Sequence, residues 1–335
     1  MKHLTAEFPR SRLRRIRQEA WCRDLVAEHA LTVKDLILPL FIREDTFQRE
    51  IPEMPGIYRH SLDELEEICQ KAMSLGIGAV ALFPFNDPQL KCEEGREALN
   101  PDNIIGRAVR RLKQKLPDLG VIVDVALDTY TTHGHDGVIR GGKVHNDDSV
   151  HILVEMSLIL ARSGVDVVAP SDMMDGRIGA IRSALDREGF QHVKILAYSA
   201  KYMSAFYFPY RNAVGSINCL GKAEKETYQL SPQNAQEAMR EATQDIMEGA
   251  DMIMVKPALP YLDIIYRYKE SFSIPVIAFQ VTGEYSALKA SAERGWIDFN
   301  KGMYETLLGM KRAGASAILC YAGIEMAEYL KNSLK

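Results

Sequence analysis

A glycine followed by a short apolar run rich in Val, Ile and Ala recurs four times in this 335-residue chain, from Gly76 to Phe83, Gly164 to Ala169, Gly249 to Val255 and Gly314 to Cys320. Each glycine closes a stretch of helical period, where the backbone needs a positive φ just past a helix end. The run after it has the unbroken apolar character of a strand buried on both faces. The repeated phrase is helix, stop, strand.

Four further apolar runs lie among these, at Leu36 to Ile42, Val121 to Leu127, Val193 to Tyr198 and Ile274 to Val281. Eight strands alternating with helices predict an α/β chain folded as a (β/α)8 TIM barrel. With 47% hydrophobic residues the chain has enough apolar surface for one large core. The helices carry their own punctuation. Ser61 to Glu64 reads as a capping box ahead of a helix ending at Gly76, and Ser231-Pro232 reads as an N-cap and first-turn proline for a helix ending at Gly249. In that second helix Ala235, Ala238, Met239, Ala242 and Ile246 form one apolar stripe.

Residues 1–33 stand outside the alternation and are read as an N-terminal arm, with the barrel over residues 34–335. The arm holds Arg10, Arg12, Arg14, Arg15 and Arg17, a cluster that suits a solvated face, a nucleic-acid patch or a contact with a neighbouring subunit. The net charge of −4, from 41 basic and 45 acidic residues spread along the chain, gives no field that favours nucleic acid or an anionic membrane. No apolar run approaches the ~18–20 residues that cross a bilayer, and Met1 to Arg17 is too polar for a secretory signal. Cys22, Cys69, Cys92, Cys219 and Cys320 are odd in number, far apart and form no C-x-x-C pair, which argues against a disulfide framework and for a reducing compartment. These features predict a soluble, cytoplasmic protein.

In a barrel the chemistry sits at the C-terminal ends of the strands. Two lysines occupy such places: Lys201 closes the run from Val193, and Lys256 ends the run from Met252 directly before Pro257. Burial disfavours an ammonium, and two lysines on the fifth and sixth strands would repel each other, so both effects favour a neutral, nucleophilic amine. The alternative is a pair of lysines that snorkel to solvent or meet carboxylates. On the third strand a period of two puts Asp124, Ala126 and Asp128 on one face, which suits acid/base work, cation binding or both. The glycine-rich stretch Thr131 to Gly137 adds Asp136 and the pair His133 and His135, which reads as a loop feature or a weak metal signal. After Lys201 comes an aromatic segment from Tyr202 to Arg211, then a polar one with Gly215, Gly221, Lys222 and Lys225 up to Gln229. Aromatic rings there would exclude water, and Arg211 and Lys225 on a lid would hold a substrate carboxylate.

Taken together, Asp124 to Asp128 with Thr132 to His135, Ser199 to Tyr202 with Phe208 to Arg211, Met254 to Pro257 with Pro260 to Asp263, and Gln280 to Glu284 strongly resemble the porphobilinogen synthase (5-aminolevulinate dehydratase) family. Their order and spacing agree from the arm to Tyr321. The resemblance implies a (β/α)8 barrel that condenses two molecules of 5-aminolevulinate to porphobilinogen with loss of two waters. It implies a Schiff base on Lys256 for the substrate bound first, in the P site, and one on Lys201 in the A site. It places Thr282 and Tyr321 at the P-site carboxylate, and Arg211, Lys225 and Gln229 at the A-site carboxylate. The family usually has serine where this chain has Thr282, a change that keeps the hydroxyl. Asp124 is the candidate for proton transfer or for orienting the A-site amine.

In zinc-dependent relatives the positions of Ala126, Asp128 and Asp136 are cysteines, and none of the five cysteines here falls on them. The resemblance therefore implies no active-site zinc and no organic cofactor, and leaves Asp128 and Asp136 as an oxygen-rich site for Mg2+, a monovalent cation or water. It further implies a stimulatory, allosteric Mg2+ on Glu241, away from the chemistry, with Asp172 and Arg177 at a nearby subunit contact in a homo-octamer. Two rivals remain. A sugar-phosphate aldolase needs one lysine and a phosphate site near the last two strands, for which Tyr321 to Ile324 is a weak candidate, and an inactive barrel would serve as an assembly protein.

Overall fold

The computed structural model describes residues 6–216 and 225–333. Gly221, Lys222 and Cys219 lie outside the described residues. Eight parallel strands close into a barrel: β1 (Leu36–Ile42), β2 (Ala79–Pro84), β3 (Gly120–Val125), β4 (Val167–Pro170), β5 (Lys194–Lys201), β6 (Met252–Lys256), β7 (Val276–Phe279) and β8 (Ala317–Leu319). Each strand pairs with the next in sequence, and β8 returns to β1 with Leu36 opposite Ile318. The fold is the (β/α)8 TIM barrel predicted from the alternation. A two-residue strand, Arg59–His60, adds to the end of β1, and a small antiparallel pair, Ile139–Arg140 with Lys143–Val144, lies in the connection after β3.

The punctuation does what the residue types require. Gly76 and Gly314 end their helices at φ 97° and 114°, and Gly164 and Gly249 share the positive φ. Helix Leu62–Leu75 starts at Ser61, whose hydroxyl accepts from the Glu64 N–H while the Glu64 carboxylate accepts from the Ser61 N–H. The second expected cap is displaced. That helix runs Gln236–Met247, four residues later than Ser231-Pro232 suggests, because the Ser231 hydroxyl caps only a local turn at Gln233 and the Tyr202 hydroxyl donates to the Asn234 carbonyl. The stripe itself faces inward, with Ala238 and Ala242 fully buried.

Inside the barrel, Phe83 on β2 meets Phe279 on β7 at 6.0 Å between ring centroids, and Tyr321 stacks on Phe41 at 5.6 Å. β2 and β7 are not neighbours, so Phe83 and Phe279 meet across the interior, and with Phe41 and Tyr321 they form an aromatic layer beneath the C-terminal ends of the strands. The N-terminal segment is different. It forms a short helix, Ala20–Leu25, with no buried residue, and leaves Phe8, Leu13, Trp21 and Leu25 each at least two-thirds exposed.

Candidate active site

Lys201 and Lys256 end β5 and β6 and are register partners across that pair of strands. Both are 5% exposed, so neither snorkels. Their surroundings differ. The Lys256 amine lies among four rings, with centroids at 4.6 Å for Phe279, 5.0 Å for Tyr210, 5.2 Å for Tyr198 and 5.4 Å for Tyr207. Burial in this setting, added to the charge of Lys201, pulls its pKa down to about 7 against the opposing pull of Asp124, Asp128 and Asp136. Lys201 instead donates to the Ser171 carbonyl and reaches Asp136 at 3.4 Å.

Asp124 is the penultimate residue of β3, on the same rim. Burial pushes its carboxyl up to about 6, and the charges of Lys256 and Lys201 only partly offset that. Its Oδ1 has no hydrogen-bond partner among the described residues. The strand stops at Val125, so the alternation that grouped Asp124, Ala126 and Asp128 does not extend to Asp128. The chain turns there instead, with the Tyr130 and Thr131 N–H groups donating to the Leu127 carbonyl and the Leu127 N–H donating to Asp136. That return brings Asp128 and Asp136 together. Lys225 joins them, 3.0 Å from Asp136 Oδ2 and 3.6 Å from Asp128 Oδ2. Burial alone would raise Asp136, but Lys201 and Lys225 outweigh it and hold the carboxyl below its usual range. For Lys225 burial is likewise outweighed, and the two aspartates raise its pKa.

His133 and His135 pin this loop. His133 pairs with the Glu93 carbonyl at 3.1 Å and His135 with the Tyr228 hydroxyl at 3.0 Å. Among the described residues no three His, Cys, Asp or Glu side chains converge as a metal-binding group.

The segment from Lys225 to Leu230 is held to the end of β5 by its backbone: the Leu230 N–H donates to the Lys201 carbonyl and the Met203 N–H to that of Leu230. It thereby brings Lys225 and Gln229 to a small cavity of about 20 Å3 shared with Arg211, Asp128, Ser171, Tyr207, Tyr210 and both strand-end lysines. Arg211 sits on helix Phe208–Ala213, whose last carbonyls accept from Arg59 at 2.8 Å each. Of the aromatic segment after Lys201, only Tyr207 and Tyr210 face the amine. Tyr202 turns away and stacks on Tyr261 at 3.9 Å, and Phe206 and Phe208 are exposed.

On the far side Tyr321 is buried in the aromatic layer, and its hydroxyl has no partner among the described residues. Thr282 opens helix Thr282–Glu293 and donates to the Phe206 carbonyl at 3.3 Å. Sequence reasoning missed Ser171, Tyr198 and Phe279: Tyr198 and Phe279 lie in apolar strand runs that read as core, Ser171 lies just past β4, and only the closed barrel aims them at the amines.

Glu241 lies on helix Gln236–Met247, away from this rim, half-buried beside a cleft of about 420 Å3. Burial raises its carboxyl pKa, and Asp245, Asp175 and Glu237 add to that against Arg177. Asp172 and Arg177, expected near a subunit contact, form an ion pair within the chain. Both are buried inside the chain, where Arg177 sits 3.2 Å from Asp245 and 3.7 Å from Asp172. A guanidinium this deep is tolerated because it meets two carboxylates and the Tyr198 carbonyl.

Residues 10–329 match the family described as delta-aminolevulinic acid dehydratase. The chain is 49% identical over 321 residues to the delta-aminolevulinic acid dehydratase of Bradyrhizobium diazoefficiens, covering 96% of this chain and 91% of that one. It is 46% identical over 323 residues to that of Methanothermus sociabilis, covering 96% and 99%. The crystal structure of the Toxoplasma gondii ME49 enzyme in complex with its product porphobilinogen superposes with a TM-score of 0.94 at 45% identity, covering 97% of this chain and 94% of that one. Two buried strand-end lysines on a closed (β/α)8 barrel, with these relatives over nearly the full length, establish that the chain belongs to the delta-aminolevulinic acid dehydratase, or porphobilinogen synthase, family.

Proposed function

We propose that the chain is a hydro-lyase that condenses two molecules of 5-aminolevulinate to porphobilinogen with net loss of two waters, using Lys256 for the first substrate and Lys201 for the second. The observation that carries the reading is the Lys201–Lys256 pair, with one amine held near neutrality by burial and by the other's charge. The Lys256 amine attacks the ketone carbon of the first substrate, and the carbinolamine expels water to give an imine. Protonated, that imine withdraws electrons and acidifies the adjacent carbon. The second substrate forms an imine on Lys201 in the same way, with loss of the second water, and its enamine carbon attacks the iminium carbon on Lys256 to form the carbon–carbon bond. Elimination then releases the Lys256 amine, the free amine of the first substrate adds to the imine carbon on Lys201 and expels that lysine as the carbon–nitrogen bond forms, and loss of a ring proton gives the pyrrole. Asp124, with a pKa near 6 and a free oxygen, suits the proton transfers. Arg211, Lys225 and Gln229 would hold the A-site carboxylate, and Tyr321 with Thr282 the P-site one. The aldolase reading is weaker, since two lysines rather than one are built into the rim.

In this reading the active site takes no zinc. Ala126, Asp128 and Asp136 supply no thiolate, and the charge of the two aspartates is met by the Lys225 ammonium. A Mg2+ bound by both would require Lys225 to withdraw, so Asp128 and Asp136 suit that ammonium better than a metal. Glu241 does fit Mg2+, an ion that keeps several waters and needs only one or two carboxylates. There it would act as a stimulatory charge rather than as a reactant. The neighbouring Arg177 leads inward through Asp172 to Ser171, the acceptor of Lys201, which gives the allosteric reading a physical route. The apolar face left exposed on the arm supports a homo-oligomer, an octamer by family resemblance, in which residues 1–33 cover a neighbour. The described cysteines are all free, which fits a reducing cytoplasm. Among the described residues no helix is long and apolar enough to cross a membrane.

The test is turnover of 5-aminolevulinate by metal-stripped protein, alone and with Mg2+ or Zn2+, with borohydride trapping of the imine. Porphobilinogen formation raised by Mg2+ and not by Zn2+, with the label on Lys256, is the expected result. No porphobilinogen under any metal would overturn the reading.

A further inference from the structure

Glu284 is a buried carboxylate that none of the steps above uses. It is 3% exposed, and no cationic side chain among the described residues pairs with it. Its Oε1 accepts the Leu259 N–H at 2.7 Å and its Oε2 accepts the Val281 N–H at 2.6 Å. Leu259 opens the 3-10 turn Leu259–Tyr261, three residues beyond Lys256, and Val281 immediately precedes Thr282. One carboxylate thus spans the loops that follow β6 and β7.

We propose that Glu284 is the positioning residue of the first-substrate site: its two oxygens hold the turn after Lys256 against the helix start that carries Thr282, and so set the distance between the imine-forming amine and the carboxylate binder. The proposal rests on the assignment of Lys256 and Thr282 to the first substrate. Two further contacts make the tether rigid. Gly283 packs so closely on the Phe206 backbone that a Cβ there would lie 2.5 Å from its carbonyl oxygen, and Tyr207, in the same turn, donates to the Lys256 carbonyl at 3.1 Å. Tyr261, at the end of the tethered turn, stacks on Tyr202, which follows Lys201. Burying a carboxylate without a cation is costly and pushes its pKa up to about 7, so a tether of this kind persists only where its geometry is needed.

Glu284→Gln tests this, because an amide turns an NH2 toward one of the two N–H donors and breaks that half of the tether. The readout is the 5-aminolevulinate concentration that gives half-maximal borohydride labelling of Lys256. The expected result is a rise on the order of tenfold with labelling restored at saturation, and partial recovery in Glu284→Asp. An unchanged half-saturation, or a loss of amplitude alone, would overturn the proposal, since a merely structural role lowers the active fraction and leaves the affinity of the rest intact. Label on another residue of the unaltered chain would instead sink the Lys256 assignment. Should neither variant fold, the amide signals of Leu259 and Val281 in the unaltered chain carry the test. Downfield amide proton shifts, as expected of N–H groups bonded to a carboxylate, support the tether, and ordinary shifts at both positions overturn it.

Discussion

Lys201 stands opposite Lys256 because β5 carries one more residue than β6 between the Ala197–Ile253 and Ala200–Val255 pairs. In an unbroken register the residue facing Lys256 would be Ala200, and the Lys201 side chain would point out of the barrel rather than at Ser171 and Asp136. A bulge of this kind re-aims every side chain after it. The rim chemistry depends on that single inserted residue.

Replacing the first amine separates activity from stability. Lys256→Met is expected to lower porphobilinogen formation on the order of 10^4-fold or more and to abolish borohydride labelling at that position. It should also raise Tm, since the amine it removes is buried among four rings. A melting curve shifted downward would show that Lys256 is held by contacts beyond these.

The pH dependence has a defined sign. With Lys256 near 7 and the neutral amine as nucleophile, imine formation should rise about tenfold per pH unit below 6 and level off above about 8, as measured by the initial rate of trapping at subsaturating substrate. Stability moves in the same direction for Lys256. Its folded pKa lies below the value of 10.5, so between about 7 and 10.5 the unfolded chain holds the extra proton, and this group's contribution to stability rises with pH across that window.

Asp136 carries two ammonium groups, from Lys201 at 3.4 Å and Lys225 at 3.0 Å. Asp136→Asn leaves both buried charges short of a counter-ion and is expected to cost ~3–5 kcal/mol of unfolding free energy in denaturant titrations. Added salt should change that loss little, because solvent ions do not reach the pair.

Gly283→Ala places a methyl group within 2.5 Å of the Phe206 carbonyl oxygen and 2.7 Å of its Cα, which is backbone and cannot step aside. The substitution is expected to cost ~1–3 kcal/mol and to raise KM by shifting Tyr207 off the Lys256 rim. Wild-type KM together with wild-type Tm would contradict the close approach.

At the peripheral cleft, Glu241→Ala is expected to remove the increment in turnover that Mg2+ produces. Titration of Mg2+ against turnover in both proteins checks it. A full Mg2+ response in the variant would move the ion elsewhere.

The order of strands and helices, the four helix-ending glycines and the placement of both lysines at strand ends were legible without any structure. Each follows from local chemistry: period, φ preference and the cost of a charge at the end of an apolar run. Ser231-Pro232 misled because a capping residue satisfies a turn as readily as a helix, and the Tyr202 hydroxyl, distant in sequence, claims the Asn234 carbonyl. The alternation that grouped Asp124 with Asp128 ends with the strand at Val125, and a loop, not a strand face, brings Asp128 to Asp136 and Lys225.

By itself the sequence determined that this chain is an eight-fold strand-helix repeat with two lysines at strand ends and Asp124, Asp128 and Asp136 as candidate oxygen donors. Only the tertiary structure decided that Lys225 serves as the counter-cation of Asp128 and Asp136, that Arg177 is an internal ion-pair centre, and that Glu284 ties two loops together. The physical reason is that period and propensity act over a few residues, whereas the pairing of a buried charge is set by whichever groups the closed barrel brings within reach, about 90 residues apart for Asp136 and Lys225.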